Sequence, residues 1–328
     1  MKTSVLGRTG ATVSSIGLGT WQLGADWGDV SEKDAHAVLD AAVESGVTLF
    51  DTADVYGDGR SESIIGAYLR QHPDANVFVA TKMGRRLPQV PENYSTANFR
   101  AWNERSLKNL GVDTLDLVQL HCPPTPVYSI DRVYDDLDQL VDEGKIRHYG
   151  VSVETVEEAL TAIARPNVAS VQIIINAFRL KPLDAVLPAA MEAGVGIIAR
   201  VPLASGLLSG RYTADTVFAA DDHRTYNRDG SHFDQGETFS GVDYATGVEA
   251  AQEFAALAAE HGLAPATAAL AWLTEVPGVS TVIPGARNPE QARANAAAGS
   301  VAELGAEFHA RVVELYDRRI RALVHDRW

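Results

Sequence analysis

Short, continuous apolar segments alternate with longer amphipathic segments along most of this chain. Most of the apolar segments are followed by a pattern typical of a helix, and glycines such as Gly46, Gly111, Gly144 and Gly194 close several of those helical patterns. Apolar runs without polar alternation predict strands that are buried on both faces, and a helix between consecutive strands predicts parallel pairing. The alternation therefore predicts a parallel sheet covered by helices.

Eight segments carry the strand pattern. They are residues 15–20, 47–50, 76–81, 115–120, 146–151, 168–175, 195–201 and 279–283. Helices are predicted at residues 31–46, 60–71, 95–110, 129–143, 154–164, 183–193, 244–261, 265–275, 289–298 and 303–323. Eight parallel strands joined by helices close into a barrel. We therefore predict one (β/α)8 TIM-barrel domain over residues 1–328, with an N-terminal β-hairpin at 3–15 and an extra C-terminal helix.

A doubly wound open sheet is the competing architecture. It would need a glycine-rich dinucleotide-binding turn between an early strand and its helix. The Gly17-Leu18-Gly19 segment lacks the third glycine, and no helix follows at once. The barrel is therefore the favoured prediction.

Residues 203–243 interrupt the alternation with a segment rich in Gly, Asp, Ser and Thr. A loop of this length inside a compact domain is usually functional or disordered. It contains Asp222, His223, Arg224 and Arg228, so we expect an active-site or cofactor loop that folds over a pyrophosphate as a lid. A passive surface excursion is the alternative.

The composition narrows the partners and the compartment. The net charge of -15 argues against nucleic acid or an anionic membrane surface as the main partner. The single cysteine, Cys122, excludes an internal disulfide framework and fits a reducing compartment. The N-terminal residues do not have the pattern of a signal peptide, and no apolar run is long enough to span a bilayer. We expect a soluble cytoplasmic protein that is a monomer or a small homo-oligomer.

Polar side chains stand at the ends of three consecutive predicted strands. Asp51 ends the second strand, Tyr56 lies in the loop after it, Lys82 ends the third strand and His121 ends the fourth. In a barrel of parallel strands these ends share one rim, which is where active sites lie. The four residues are therefore expected to form one site.

The chemistry of the four residues is compatible with proton transfer to a carbonyl oxygen. A phenol has an ordinary pKa near ~10, and a nearby ammonium group lowers it. A carboxylate such as Asp51 keeps Lys82 charged and oriented, and His121 is suited to hydrogen-bond a substrate oxygen. Taken singly, each has a structural alternative: a strand terminator at Asp51, a loop aromatic at Tyr56, a surface lysine at Lys82 and a satisfied core histidine at His121.

Three segments resemble the aldo-keto reductase family: DTADVYG at 51–57, ATKMG at 80–84 and SLKNLGVDTLDLVQLH at 106–121. The resemblance extends over nearly the whole chain. It implies an NADP(H)-dependent enzyme that reduces aldehydes or ketones to alcohols, with Tyr56 as the general acid, Lys82 and Asp51 tuning it, and His121 orienting the carbonyl. A cofactor-binding regulatory or scaffold subunit with little turnover remains the alternative.

The same resemblance, together with the lack of a Rossmann glycine pattern, places the cofactor at the later strand ends. Small residues after the seventh strand let the backbone approach a pyrophosphate, and Arg287 after the eighth strand suits a ribose 2′-phosphate. The predicted cofactor-binding residues are Trp21, Ser152, Gln172, Arg200, Pro202, Leu203, Ser205, Gly206, Leu207, Gly285, Arg287, Gln291 and Asn295.

Two positions depart from the family pattern. Val153 stands where many relatives carry Asn, and Arg200 stands where many place an aromatic ring against the nicotinamide. A guanidinium group is planar and can stack, but its charge disfavours the oxidised, cationic ring. We therefore hypothesise that Arg200 favours NADPH over NADP+.

Two other chemistries are weakly supported. Adjacent strand residues point to opposite faces, so Cys122 is not expected to act as a thiol nucleophile with His121. A metal hydrolase would need several His and carboxylate ligands at the strand ends. Only His121 and Asp51 qualify, with Lys82 between them, and no metal site is predicted.

Overall fold

The computed structural model describes residues 1–24, 30–232 and 236–328. Within these ranges the strands are β1 (Thr3–Val5), β2 (Thr12–Ser14), β3 (Leu18–Gly19), β4 (Leu49–Asp51), β5 (Phe78–Met83), β6 (Leu115–His121), β7 (Ile146–Ser152), β8 (Val168–Ile174), β9 (Gly196–Arg200) and β10 (Val279–Val282). Strands β3 to β10 pair in chain order and are all parallel. Parallel bridges from Ile16 to Val282 and from Gly19 to Gly285 join the first strand of this sheet to the last. The sheet therefore closes, which confirms the predicted barrel.

Helices lie between the strands as the alternation predicts. They are α1 (Glu32–Glu44), α2 (Arg60–Gln71), α3 (Thr96–Leu110), α4 (Asp131–Asp142), α5 (Val156–Ile163), α6 (Pro182–Ala193), α7 (His223–Tyr226), α8 (Tyr244–Glu260), α9 (Pro265–Glu275), α10 (Pro289–Ala297), α11 (Gly305–Arg319) and α12 (Arg321–Val324). The predicted C-terminal helix at 303–323 is broken at Ile320 into α11 and α12. The long loop contains α7 and two short 3-10 turns that its composition did not indicate.

Helix ends follow from identifiable capping residues. The Ser31 hydroxyl accepts a hydrogen bond from the Asp34 backbone N–H at 3.1 Å and so begins α1. A complete capping box of Thr155 and Glu158 begins α5. Gly111 ends α3 with φ of 69°, a left-handed conformation that favours glycine.

The barrel interior has its own apolar cluster. Leu49, Ala80, Leu117, Ile198 and Ile283 form it with two residues from the first fifteen, Leu6 and Val13. The predicted hairpin is confirmed as the antiparallel pair β1–β2, and its connection packs on the amino ends of β8 and β9, where Gly7 lies against Gly196. The hairpin therefore covers the amino end of the barrel and leaves the carboxyl ends of the strands for a site.

The helices form the outer layer of the fold. Their apolar faces pack against the outer face of the sheet in one large buried cluster. Within the described residues, no helix combines the length and the apolarity needed to cross a membrane.

Candidate active site

Three neighbouring strands bring the predicted residues to the carboxyl end of the barrel. Asp51 is the last residue of β4, Lys82 is the next to last of β5 and His121 is the last of β6. The predicted third strand was placed two residues too early, so Lys82 lies within the strand and not after it. Strand geometry therefore fixes the backbone of all three residues.

Lys82 lies at the centre of the group. Its Nζ donates hydrogen bonds to Asp51 Oδ1 at 2.5 Å, to the Thr52 carbonyl oxygen at 2.9 Å and to the Tyr56 hydroxyl at 3.3 Å. Lys82 is 1% exposed and Asp51 is 2% exposed. The three ammonium protons thus have three acceptors, which a lysine buried from water requires.

The pKa values of Lys82 and Tyr56 both move upward. Burial by itself lowers the pKa of the Lys82 ammonium, but Asp51 and Tyr56 together raise it by more, so the group is held charged. Burial raises the pKa of the Tyr56 phenol, and this outweighs the opposing effect of Lys82. The sequence predicted a lowered phenol pKa from the ammonium alone, and the structure shows that burial reverses that direction.

The second oxygen of Asp51 accepts from two glutamine amides. Gln172 Nε2 lies 2.7 Å and Gln119 Nε2 lies 3.3 Å from Asp51 Oδ2. The sequence analysis assigned Gln172 to the nicotinamide and overlooked Gln119. The available signal for Gln119 was an amide within the apolar segment 117–120, two residues before His121 and so on the same face.

Tyr56 is held by a loop that continues the pairing of β4. Beyond Asp51, the Thr52 N–H donates to the Ala80 carbonyl at 2.8 Å and the Asp54 N–H donates to the Lys82 carbonyl at 3.1 Å. Gly57 then has φ of 58°, and a Cβ there would overlap the Gly24 carbonyl oxygen. The turn at Gly57 therefore needs glycine, and it directs the chain into α2.

Aromatic rings surround the Tyr56 phenol. The His121 ring lies edge-on to Tyr56 with centroids 6.0 Å apart, and the Trp21 ring lies 6.3 Å from Tyr56. The ring of His223, in the long loop, lies 5.5 Å from the Trp21 ring, centroid to centroid. Tyr128, by contrast, is 1% exposed, and its hydroxyl donates to the Ser152 carbonyl in the core.

Arg200 ends β9 and is paired with the long loop. Its Nη1 lies 3.0 Å from Glu237 Oε2, and its Nη2 donates to the Val153 carbonyl at 3.3 Å. Arg200 is 8% exposed, so the pair is little screened by water. Glu237 therefore supplies an opposite charge beside the guanidinium that was hypothesised to favour NADPH over NADP+, and that preference stays a prediction.

The segment after β9 has an unusual backbone. Val201, Ala204, Ser205 and Gly206 have φ of 52°, 49°, 54° and 98°. Non-glycine residues rarely adopt positive φ, and runs of such residues form concave N–H surfaces that bind anions. The side chain of Leu207 is 1% exposed and packs in the core, so only its backbone is available to a ligand.

The turn after β10 is tied to α10. The Arg287 N–H donates to Gln291 Oε1 at 2.9 Å, and Asn295 Nδ2 donates to the Gly285 carbonyl at 3.0 Å. Burial lowers the pKa of Arg287, and the like charge of Arg224 adds to the fall. Arg224 belongs to α7, so the long loop and the β10 turn together supply two cations.

The remaining predicted cofactor residues fall near these groups. Ser152 is the last residue of β7 and is 1% exposed, and its hydroxyl accepts from the Cys122 thiol at 3.4 Å. Pro202 and Leu203 lie in the strained segment after β9. Within the described residues, no cluster of three or more His, Cys, Asp or Glu is arranged to hold a metal ion.

The chain matches known proteins over nearly its whole length. Residues 15–317 match the model of the aldo/keto reductase family. The aldo-keto reductase YhdN of Bacillus subtilis is 32% identical over 299 residues, which cover 90% of this chain and 87% of that protein.

Two solved structures are similar in fold. The glycerol dehydrogenase AKR11B4 from Gluconobacter oxydans has a TM-score of 0.78 at 30% identity and covers 94% of this chain and 93% of its own. An aldo/keto reductase from Klebsiella pneumoniae, solved with NADP and acetate, has a TM-score of 0.71 at 26% identity and covers 96% of both chains. The barrel and the family match agree, and this chain belongs to the aldo/keto reductase family.

Proposed function

We propose that this protein is an NADP(H)-dependent oxidoreductase that reduces small aldehydes or ketones to alcohols. The observation that carries the proposal is the buried Lys82, hydrogen-bonded at once to the Asp51 carboxylate and the Tyr56 phenol. Such a triad has a proton to give and a cation to stabilise the anion that remains. This is the requirement for protonating a carbonyl oxygen.

Tyr56 is the proton donor in this proposal. Its raised pKa keeps the proton on the phenol at neutral pH, so the acid form is available for reduction. When the proton leaves, the Lys82 ammonium at 3.3 Å stabilises the phenolate. Asp51 holds Lys82 in place and is itself held by Gln119 and Gln172.

His121 and the bound cofactor complete the proposed reaction. The His121 ring faces the Tyr56 ring and is the group we assign to orient the carbonyl oxygen by a hydrogen bond. NADPH, when bound beside these residues, would supply a hydride for the carbonyl carbon.

The chain has groups that fit such a cofactor. The positive-φ segment from Val201 to Gly206 is suited to the pyrophosphate, and Arg287 with Arg224 is suited to a ribose 2′-phosphate. Because Asp51 engages the Gln172 amide nitrogen, the Gln172 oxygen is the atom we expect to face the carboxamide, beside Ser152. The long loop, which already contacts Trp21 through His223, is assigned as the lid.

The decisive experiment measures the rate at which NADPH absorbance falls when the protein is mixed with each member of a panel of aldehydes, ketones and sugars. Tyr56→Phe is expected to lower the rate by about 100-fold or more, because general acid catalysis is worth about that much. Tyr149→Phe is the matched control, since the Tyr149 hydroxyl bonds Asp138 on the outer layer. Equal rates in wild type and Tyr56→Phe would reject the assignment of the acid. No turnover of any compound by wild type, with NADPH still bound, would favour the scaffold subunit.

A further inference from the structure

Asp54 is a buried acid between Asp51 and Tyr56 that the proposed reaction does not use. It is 0% exposed, and neither carboxylate oxygen has a hydrogen-bond partner within the described parts of the chain. Its backbone is fixed, because its N–H donates to the Lys82 carbonyl at 3.1 Å and its carbonyl accepts from Arg86 at 3.2 Å. The backbone of Asp54 therefore joins the loop of Tyr56 to the strand of Lys82. Its carboxyl, in contrast, accepts no hydrogen bond from the described residues that would offset the cost of its burial.

Several charged or titratable groups face Asp54 from the elements packed around it. They are Glu62 of α2, Lys82 of β5, Arg86 after β5, Tyr94 before α3 and Arg105 of α3. None of them hydrogen-bonds the Asp54 carboxyl.

The nearby charged groups are engaged elsewhere. Arg86 and Arg105 both bond Asp58, at 2.6 Å and 2.8 Å. Glu62 is itself 0% exposed, and it accepts from Thr81 at 2.6 Å and from Asn109 at 2.9 Å. The buried Asp54 carboxyl thus lies near the like-charged carboxylate of Glu62, and no donor among the described residues forms a hydrogen bond to it.

Burial raises the pKa of Asp54 to about 7, and Glu62 adds to the rise while Arg86, Arg105 and Lys82 oppose it. The carboxyl is therefore neutral below that pH and charged above it. A neutral carboxyl tolerates an apolar site, whereas a charged one without a donor is strongly disfavoured there. Movement of the loop that carries it toward water relieves that cost.

We propose that Asp54 is a positioning residue for Tyr56. The protonated carboxyl lets residues 52–59 pack against β5 and hold the phenol beside Lys82. The ionised carboxyl loosens this segment and withdraws the phenol from Lys82. The effect on activity rests on the proposed function, but the effect on the segment does not.

Hydrogen–deuterium exchange of residues 52–59 tests the segment directly. Wild type is expected to lose about tenfold or more of its protection between about pH 6 and about pH 8.5, after correction for the intrinsic exchange rate. Asp54→Asn, which has the shape of the protonated acid, is expected to keep its protection. Asp116→Asn is the control, since the Asp116 carboxylate already accepts from the Val79 N–H at 3.1 Å, and this variant should follow wild type.

Enzyme kinetics supply the second readout. The kcat for carbonyl reduction should fall more steeply over the same pH range in wild type than in Asp54→Asn, with KM for the carbonyl little changed. Equal protection in wild type and Asp54→Asn at the higher pH overturns the proposal, whatever the kinetics show. If no compound is turned over, the proposed function fails, and the exchange result alone decides the role of Asp54.

Discussion

Lys82 shows how a single buried charge is made tolerable in this fold. An ammonium group without water needs an acceptor for each proton and an opposite charge, and Lys82 obtains both from Asp51, Thr52 and Tyr56. Asp51 is equally dependent, because Lys82 is its one fully charged partner in the described parts of the chain, and Gln119 and Gln172 are neutral. The two residues are therefore coupled in stability as well as in the proposed chemistry.

We predict that Lys82→Met lowers the free energy of unfolding by about 3–5 kcal/mol, since it leaves Asp51 buried without its counter-ion. Lys82→Met combined with Asp51→Asn should be less destabilised than Lys82→Met alone. Urea unfolding of the two single variants and the double variant gives the coupling energy.

An exposed lysine pair is the control for this cycle. Lys145→Met removes a pair with Glu104 at 3.0 Å on the surface, and its cost should be within about 1 kcal/mol. Additive effects of the Lys82 and Asp51 substitutions would contradict the coupling.

The long loop is fastened at its second end by buried polar groups. Arg179 donates to the Gly236 carbonyl at 2.9 Å and stacks over the C-terminal Trp328 at 4.1 Å, while Asn176 donates to the Ser240 hydroxyl at 2.8 Å. Glu237, which lies between Gly236 and Ser240 in the sequence, forms the ion pair with Arg200. This part of the loop is therefore anchored to the barrel rim, beside the position proposed for the nicotinamide.

We predict that Glu237→Gln raises the Kd for NADP+ more than the Kd for NADPH. The substitution removes the negative charge beside Arg200, so the guanidinium repels the cationic ring more strongly. Fluorescence titration with NADP+ and with NADPH gives the ratio of the two Kd values. Glu154→Gln is the comparison variant, because Glu154 pairs with Arg85 at 3.5 Å. A ratio that stays at the wild-type value argues that the nicotinamide does not lie beside Arg200.

The turn before α10 gives a test of the preference for NADPH over NADH. Arg287→Met should raise the Kd for NADPH by roughly 10- to 100-fold and leave the Kd for NADH nearly unchanged, because a hydrogen bond to a charged phosphate is worth about 1.5–3 kcal/mol. Arg293→Met on the adjoining helix α10 is the control, since Arg293 pairs with Glu44 at 3.3 Å. Equal weakening of NADPH and NADH would show that Arg287 does not recognise the 2′-phosphate.

Closure of the barrel organises the whole molecule. The hairpin covers the amino end, and Leu6, which is 0% exposed, joins the interior cluster with residues from five strands or strand ends of the barrel. The proposed site lies at the other end. Stability and chemistry are thus assigned to opposite ends of one sheet.

We predict that Leu6→Ala lowers the free energy of unfolding by about 2–5 kcal/mol, because it leaves a cavity in the barrel interior. The KM for a carbonyl substrate should not change. Val5→Ala is the control at the adjacent position, where the side chain is 56% exposed and the cost should be within about 0.5 kcal/mol. A similar loss in both variants would mean that the hairpin does not seal the barrel.

Much of the fold was predictable from local pattern. The α2 range of 60–71 and the α9 range of 265–275 were predicted to the residue, and the eight barrel strands were found with shifts of a few residues at their ends. The first strand was shortened most, from 15–20 to Leu18–Gly19, because its pairing with β10 is reduced to isolated bridges. Pairing partners decide where a strand ends, and a local pattern does not contain them.

The sequence by itself determined which residues reach the rim. In a parallel barrel, the order along the chain is the order around the sheet, so Asp51, Lys82 and His121 had to stand on neighbouring strands at the same end. Only the tertiary structure decided their partners. Gln172 meets Asp51 across 121 residues, Glu237 meets Arg200 across 37, and no donor among the described residues reaches the Asp54 carboxyl. These outcomes depend on side-chain distances of a few ångströms between distant segments, and such distances are set when the whole barrel packs.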